Sequence, residues 1–158
     1  MDEITIRSAT RTDERALGRY GGALMRQHHA FDPPRFVLSE NPEAGYGRFL
    51  VSQLEEPDTV VLVAERAGEV VGYAFASLEP MSWKDLRAAC GFLHDVYVDA
   101  PWRERSIGTR ALEFAEQWMR DRGLRDLRLP CRSTLAMRTP ARYDCTGGSV
   151  SPRPTATS

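Results

Sequence analysis

Two runs, residues 59–66 and 69–78, are rich in β-branched and other apolar side chains, and only Ala67-Gly68 separates them. A two-residue connection of that kind closes an antiparallel hairpin. An antiparallel pair in the middle of a chain argues against a doubly wound parallel sheet. With helical periodicity on either side, it argues for a mixed sheet covered by helices.

The flanking segments supply those helices. Ile4-Thr5-Ile6-Arg7 alternates apolar with polar and predicts an opening strand. Thr12 and Asp13 can cap a following helix whose apolar positions include Ala16, Leu17, Tyr20, Leu24 and Met25. Gly21-Gly22 is expected to weaken or split that helix, and Asp32-Pro33-Pro34, inside the loop expected over residues 28–36, stops it. Residues 43–54 predict a second helix with Tyr46, Phe49, Leu50 and Leu54 toward one face. Residues 92–98 read as a further strand ended by Asp99-Ala100-Pro101. Ile107 then opens a helix with Ala111, Leu112, Phe114, Ala115, Trp118 and Met119 as its apolar positions. Gly123 ends it and residues 124–129 begin another strand. The order β-α-α-β-β-β-α-β is of the α/β class, with a mixed, mostly antiparallel sheet flanked by helices.

Composition narrows the function. A length of 158 residues suits one domain. The net charge of −1 gives no basic excess for nucleic acid or an anionic membrane. No run reaches the roughly 18 apolar residues of a membrane span, and Met1-Asp2-Glu3-Ile4 does not read as a secretory signal. Cys90, Cys131 and Cys145 have no metal-site spacing, so no metal is expected and a reducing cytoplasm is.

Chemistry concentrates between Val96 and Arg110. There a strand ends, an arginine-rich loop turns, and a helix begins with small residues at its mouth. Uncovered amides and the positive end of a helix dipole form a seat for a diphosphate, with Arg103 and Arg105 as charged partners. The glycine spacing and the Lys-Ser/Thr of a Walker loop are missing.

Arg103-Glu104-Arg105-Ser106-Ile107-Gly108 resembles the acyl-CoA signature of the GNAT superfamily, Gln/Arg-x-x-Gly-x-Gly/Ala, with Ser106 in place of the first glycine. The hairpin resembles that family's second and third strands, ITIRSATRTDERAL its opening, and HHAFDPPRF its acceptor-side loop. The resemblance runs from about residue 3 to residue 129 in the family's order. It implies an acetyltransferase that uses acetyl-CoA as donor and a small-molecule or peptide amine as acceptor. It allows a homodimer and expects neither nucleic acid nor membrane as partner. Backbone groups of Val96 and Val98 would hold the pantetheine arm, an N–H near Val96 would polarise the thioester carbonyl, and Arg103, Glu104, Arg105, Ser106, Ile107, Gly108 and Thr109 would bind the pyrophosphate. Small and hydroxylated, Ser106 suits a phosphate, although a positive φ there would be costly.

Asp95 lies near a position where many relatives carry an acidic residue. It is the candidate general base, against a structural reading as a satisfied polar group. His94 is a weaker candidate, expected on the opposite face of the strand because neighbours alternate. Glu79 at a strand end and His28 and His29 in a loop are further candidates for the acceptor side. Trp102, Trp118 and Cys90 read as packing residues.

After Leu129 the family pattern Asn-x-x-Ala-x-x-Leu-Tyr-x-x-x-Gly-Phe is missing. Residues 130–158 contain no glutamate, are rich in Ser, Thr and Pro, and read as a disordered non-family tail appended to an incomplete domain, residues 1–129. Reading across codon boundaries, however, Met137-Arg138 gives alanine, Arg138-Thr139 allows asparagine, and Asp144-Cys145 gives leucine. Cys145-Thr146 gives tyrosine or histidine, and Ser149-Val150 and Val150-Ser151 allow glycine and phenylalanine. That is the family pattern at its own spacing, and one base lost near the Leu129 codon, or two gained, accounts for it. An ordinary divergent tail is the alternative, and a non-catalytic acyl-CoA-binding domain or a disabled gene product are the rival functions. Sequencing the coding DNA decides the frame. The shifted reading expects an Arg138 codon ending in A and a Cys145 codon ending in T, and it is abandoned if neither does.

Overall fold

A computed structural model describes residues 3–125 and 127–128. Their order is β1 (Thr5–Ser8), α1 (Glu14–Phe31), α2 (Pro42–Gln53), β2 (Thr59–Arg66), β3 (Glu69–Glu79), β4 (Cys90–Val98), α3 (Ile107–Arg120) and β5 (Leu127–Arg128). The sheet runs β1-β2-β3-β4-β5, antiparallel through β4, with β5 parallel to β4. The mixed sheet expected from the hairpin is present. The expectations for the tail after Leu129, its cysteines and the missing strand and helix lie outside the described residues.

Period-2 alternation sorts the strands into two apolar faces. Val60, Leu62, Ala74, Ala76 and Leu93 meet Ala111, Leu112, Ala115 and Met119 of α3. Val61, Val63, Tyr73 and Phe75 meet Leu17, Tyr20 and Leu24 of α1 and Leu50 of α2 on the other side. Phe114, counted among the apolar positions of α3, instead lies on its exposed side. No helix among the described residues is long and apolar enough to cross a membrane.

The start of α1 is fixed by charge as well as packing. Asp13 accepts from the Thr10 amide at 2.8 Å and from both Arg7 terminal nitrogens at 2.8 and 3.0 Å, and Arg7 also bridges to Glu65. These bonds, with Arg7 the largest influence, hold the Asp13 carboxyl below the usual carboxylate range. One cation thereby joins β1, the entry to α1 and β2.

Gly21-Gly22 does not split α1, which runs unbroken to Phe31 and stops before Asp32-Pro33-Pro34. The helix tolerates its glycines because α2 crosses against them. A Cβ on Gly18 would lie 2.4 Å from the Glu43 carbonyl oxygen, and one on Gly21 would lie 2.1 Å from the Tyr46 ring. Burial against α2 outweighs a propensity deficit of about 1 kcal/mol per glycine. Gly45 of α2 has no such neighbour. Gly18→Ala is therefore expected to destabilise the protein by about 1–3 kcal/mol in urea unfolding through overpacking. Gly45→Ala should stabilise it by roughly 0.5–1 kcal/mol, and equal effects of the two would refute close helix contact as the reason for the glycines.

Candidate active site

The loop between β4 and α3 is tied down at both ends. Asp99 caps the short 3-10 turn Ala100–Trp102 by accepting from the Ala100 amide at 2.9 Å. Arg103 Nε donates to the Val98 carbonyl at 2.9 Å, and its guanidinium sits 5.5 Å from the centre of the Tyr97 ring. Arg105 and Arg66 both lie over the Trp102 ring, at 5.0 and 4.4 Å. At the other end Ile107 is buried with Ala64 and Val71, with Val98 and Trp102 against it. Between these anchors Glu104 and Ser106 both take left-handed backbone conformations, φ 67° and 60°. The cost anticipated for serine at that position is therefore incurred.

What this loop presents is a bare helix start. The amides of Ile107, Gly108 and Thr109 have no acceptor within α3, and the Ser106 side chain does not cap them. A Cβ on Gly108 would find its nearest neighbour, Val96 Cγ1, at 3.9 Å, so packing does not demand glycine there and its lack of side chain keeps the mouth clear. Among the described residues β5 pairs with β4 only at Gly91 and Phe92. Val96 and Val98 thus lie on a stretch of β4 that no described strand covers on that edge. A helix mouth of free amides after a loop with two arginines, next to a strand edge that no described residue pairs, fits a diphosphate with an extended amide-bearing arm.

The sheet face opposite α3 is organised by a bulge. Asp95 opposes Phe75 and Leu93 opposes Ala76, so His94 has no partner across the β3–β4 ladder. Expected to face away from Asp95, His94 instead shares its side of the sheet, because the extra residue shifts the alternation by one. Leu93 and Val96 on either side pack toward α3. The His94 ring stacks on Phe75 at 4.8 Å and tilts against Phe92 at 4.9 Å. Phe75 in turn meets the edge of Phe49 at 5.6 Å.

Asp95 is 9% exposed, and its Oδ2 accepts from the Tyr46 hydroxyl at 2.5 Å and the Tyr73 hydroxyl at 3.2 Å. Burial pushes its carboxyl above the usual carboxylate range, while the two phenols act against that rise. Both phenols are themselves raised, by burial first and by the neighbouring carboxylate second. Ser77 Oγ lies 2.7 Å from His94 Nε2 and 2.8 Å from Glu79 Oε1. Arg87 stands 4.0 Å from the other oxygen of Glu79 and donates to Cys90 Sγ at 2.8 Å. Burial lowers the His94 imidazole below its ordinary value, with Glu79 and then Asp95 acting to raise it.

Glu79 therefore joins His94, whereas Asp95 belongs to a separate tyrosine cluster. His28 and His29 are in the last turn of α1, not in a loop; His28 stacks on Phe36, and His29 Nδ1 is 2.8 Å from the Phe36 carbonyl oxygen. Tyr73 and Ser77 were not singled out in the sequence, since only register brings them to Asp95 and His94. Tyr46 read simply as an apolar helix position. Among the described residues no group of three or more His, Cys, Asp or Glu could hold a metal ion.

Because Ser106 holds a left-handed conformation, Ser106→Gly should raise stability by about 1 kcal/mol, a shift of roughly 2–4 °C in melting temperature. A lower melting temperature would show that the hydroxyl matters more to the loop than its backbone.

Comparison with known proteins agrees with this geometry. A curated aminoglycoside N(6′)-acetyltransferase type 1 from Klebsiella aerogenes is 29% identical over 75 residues, 48% of this chain and 49% of that one. The chain thus matches about half the length of that relative. Among solved structures, the fold resembles an acetyltransferase from Vibrio fischeri, with a TM-score of 0.62 and 19% identity over 79% of this chain and 93% of that one. It also resembles a predicted acetyltransferase from Clostridium acetobutylicum solved with acetyl-CoA, with a TM-score of 0.62 and 17% identity over 85% and 84% of the two chains. The profile described as the Acetyltransferase (GNAT) family matches residues 23–141, most of the sequence. The chain belongs to the GNAT acetyltransferase family.

Proposed function

We propose that this chain moves an acetyl group from acetyl-CoA to a primary amine of a small molecule or peptide end, in the cytoplasm. The observation that carries this reading is the uncapped start of α3, preceded in its loop by Arg103 and Arg105 and following a stretch of β4 that no described strand pairs on that edge. The amides of Ile107, Gly108 and Thr109, the Ser106 hydroxyl and the guanidiniums of Arg103 and Arg105 would hold the diphosphate. Glu104 contributes its left-handed backbone to the turn, while its side chain is exposed. Val96 and Val98 would pair with the pantetheine arm, and an amide near Val96 would face the thioester oxygen.

The thioester supplies the acetyl carbon. The amine's lone pair forms the C–N bond and the C–S bond breaks with its electrons on sulfur. Of the two protons an entering ammonium gives up, one goes to a base of the site and one to the sulfur. Positioning and proton removal are the protein's share of that chemistry. Asp95, the base expected from the sequence, has Oδ2 committed to two phenols and takes part through its negative charge beside His94.

The acceptor class draws support from the relative whose name describes acetylation of an aminoglycoside. The division into a domain of residues 1–129 and a tail of residues 130–158 is part of this proposal.

Acetyl-CoA should raise the melting temperature of the protein, and amines should release free thiol from it in proportion to turnover. Stabilisation without thiol release from any amine would favour the non-catalytic binding domain. No stabilisation would end the proposal. Arg103→Ala and Arg105→Ala should each weaken coenzyme A binding about tenfold or more, as expected for loss of one charge-assisted bond; unchanged affinity would remove the diphosphate from that loop.

A further inference from the structure

The cluster at the bulge fixes where the His94 protons are. Ser77 Oγ lies within hydrogen-bond distance of both Glu79 Oε1 and His94 Nε2, at 2.8 and 2.7 Å. An ionised carboxylate only accepts, so the single hydroxyl proton of Ser77 points at Glu79. A lone pair of Oγ then faces the ring, and Nε2 must carry a proton to bond with it. In the neutral imidazole this leaves the free lone pair on Nδ1. Among the described residues no group is bonded to Nδ1, and the His94 side chain is 32% exposed. Behind the ring, Glu79 Oε1 is 3.6 Å from Nε2, close enough to offset positive charge on the imidazole.

From this geometry we propose that Nδ1 of His94 takes the proton from the acceptor amine, with Ser77 and Glu79 as positioning residues that fix the tautomer and stabilise the imidazolium. The inference rests on the acetyltransferase reading and assigns it a base. The proton leaves the ammonium nitrogen for Nδ1, the nitrogen keeps its electron pair for the new C–N bond, and the imidazolium returns the proton to solvent. Asp95 is less suited to that task, being nine-tenths buried with one oxygen holding two phenols. The charged groups facing the ring from its surroundings are Glu79 on β3 and Asp95 on β4, and Arg87 from the β3–β4 connection reaches the far oxygen of Glu79. Burial keeps the imidazole below its ordinary value, so the ring is neutral and able to accept at pH 7. Activity should accordingly fall as pH drops through that lowered value.

Two measurements on the full chain test this. The first is the tautomer of His94 from its ring nitrogen shifts by NMR in the folded protein. A protonated Nε2, shifted toward mixed tautomers in Ser77→Ala, supports the proposal, and a protonated Nδ1 overturns it whatever the activity. The second is the pH profile of amine acetylation. His94→Gln should lose about a hundredfold in kcat near neutral pH. The loss should shrink toward pH 10, where the amine, with a pKa of about 10, is free without help. Glu79→Gln should move the acid limb to lower pH, and Asp95→Asn should move it in the same direction by less, since Glu79 is the larger of the two influences on the ring. A His94→Gln protein that still gains stability from acetyl-CoA yet keeps the full wild-type profile overturns the role. Should that variant fail to fold, the wild-type tautomer and the Glu79→Gln limb decide. A wild-type protein that binds acetyl-CoA but acetylates no amine defeats the acetyltransferase reading and this role with it, while the tautomer still reports on the geometry.

Discussion

Between the pairs Leu93–Ala76 and Asp95–Phe75, His94 stands unmatched in the β3–β4 ladder, and this one offset governs the side chains that meet on the sheet face opposite α3. Without it, strict alternation would turn either His94 or Asp95 toward α3 and its apolar layer of Leu112 and Met119, where a polar side chain would be buried without partners. With it, the ring lies on Phe75 within reach of Ser77, and Asp95 enters the space between Tyr46 and Tyr73. The bulge also puts a change of direction into β4 just before the stretch with Val96 and Val98 that no described strand pairs on its outer edge. The same irregularity therefore shapes both the His94–Asp95 face and the strand that leads to the α3 mouth.

Polar groups on this face are divided between two environments. Asp95 is enclosed by two phenols in a layer filled by Phe75, Leu17 and Tyr20, where a carboxylate is costly unless it is hydrogen-bonded. Glu79 and His94 lie at the rim, about one-third exposed, with Arg87 supplying the opposite charge. The interior carboxylate orders α2 against the sheet through Tyr46, and the rim pair meets whatever enters from solvent.

Much of this was legible in the sequence. The hairpin, the strand and helix flanking the arginine loop, and the order of elements all follow from periodicity and turn chemistry, which are local. The α3 mouth was legible for the same reason, since its strand, loop and helix are contiguous. What escaped depends on contacts between distant segments. The alternation rule placed His94 and Asp95 on opposite faces, because a bulge is a property of two strands and shows in neither alone. Gly21-Gly22 read as a weakness by propensity, whereas the Tyr46 ring, 25 positions further along, makes the space above Gly21 a contact surface. Likewise, Ser77 is an ordinary strand residue until register sets it against His94. The Arg103 side chain, expected to serve a phosphate, latches the Val98 carbonyl, a use that sequence spacing does not reveal.

Ser106 carries a wider implication. A side chain in the left-handed region costs roughly 1–2 kcal/mol, and here that cost is met by the seating of Ile107 and the latch from Arg103. A loop held in a strained shape by its surroundings keeps that shape in only a fraction of molecules whenever those surroundings loosen. Apparent affinity for a ligand of that loop scales with the fraction. Serine at this position thus makes the shape of the α3 mouth answerable to the packing of the whole β4–α3 corner: anything that softens the pocket of Ile107 also loosens the loop, at a distance and without touching it.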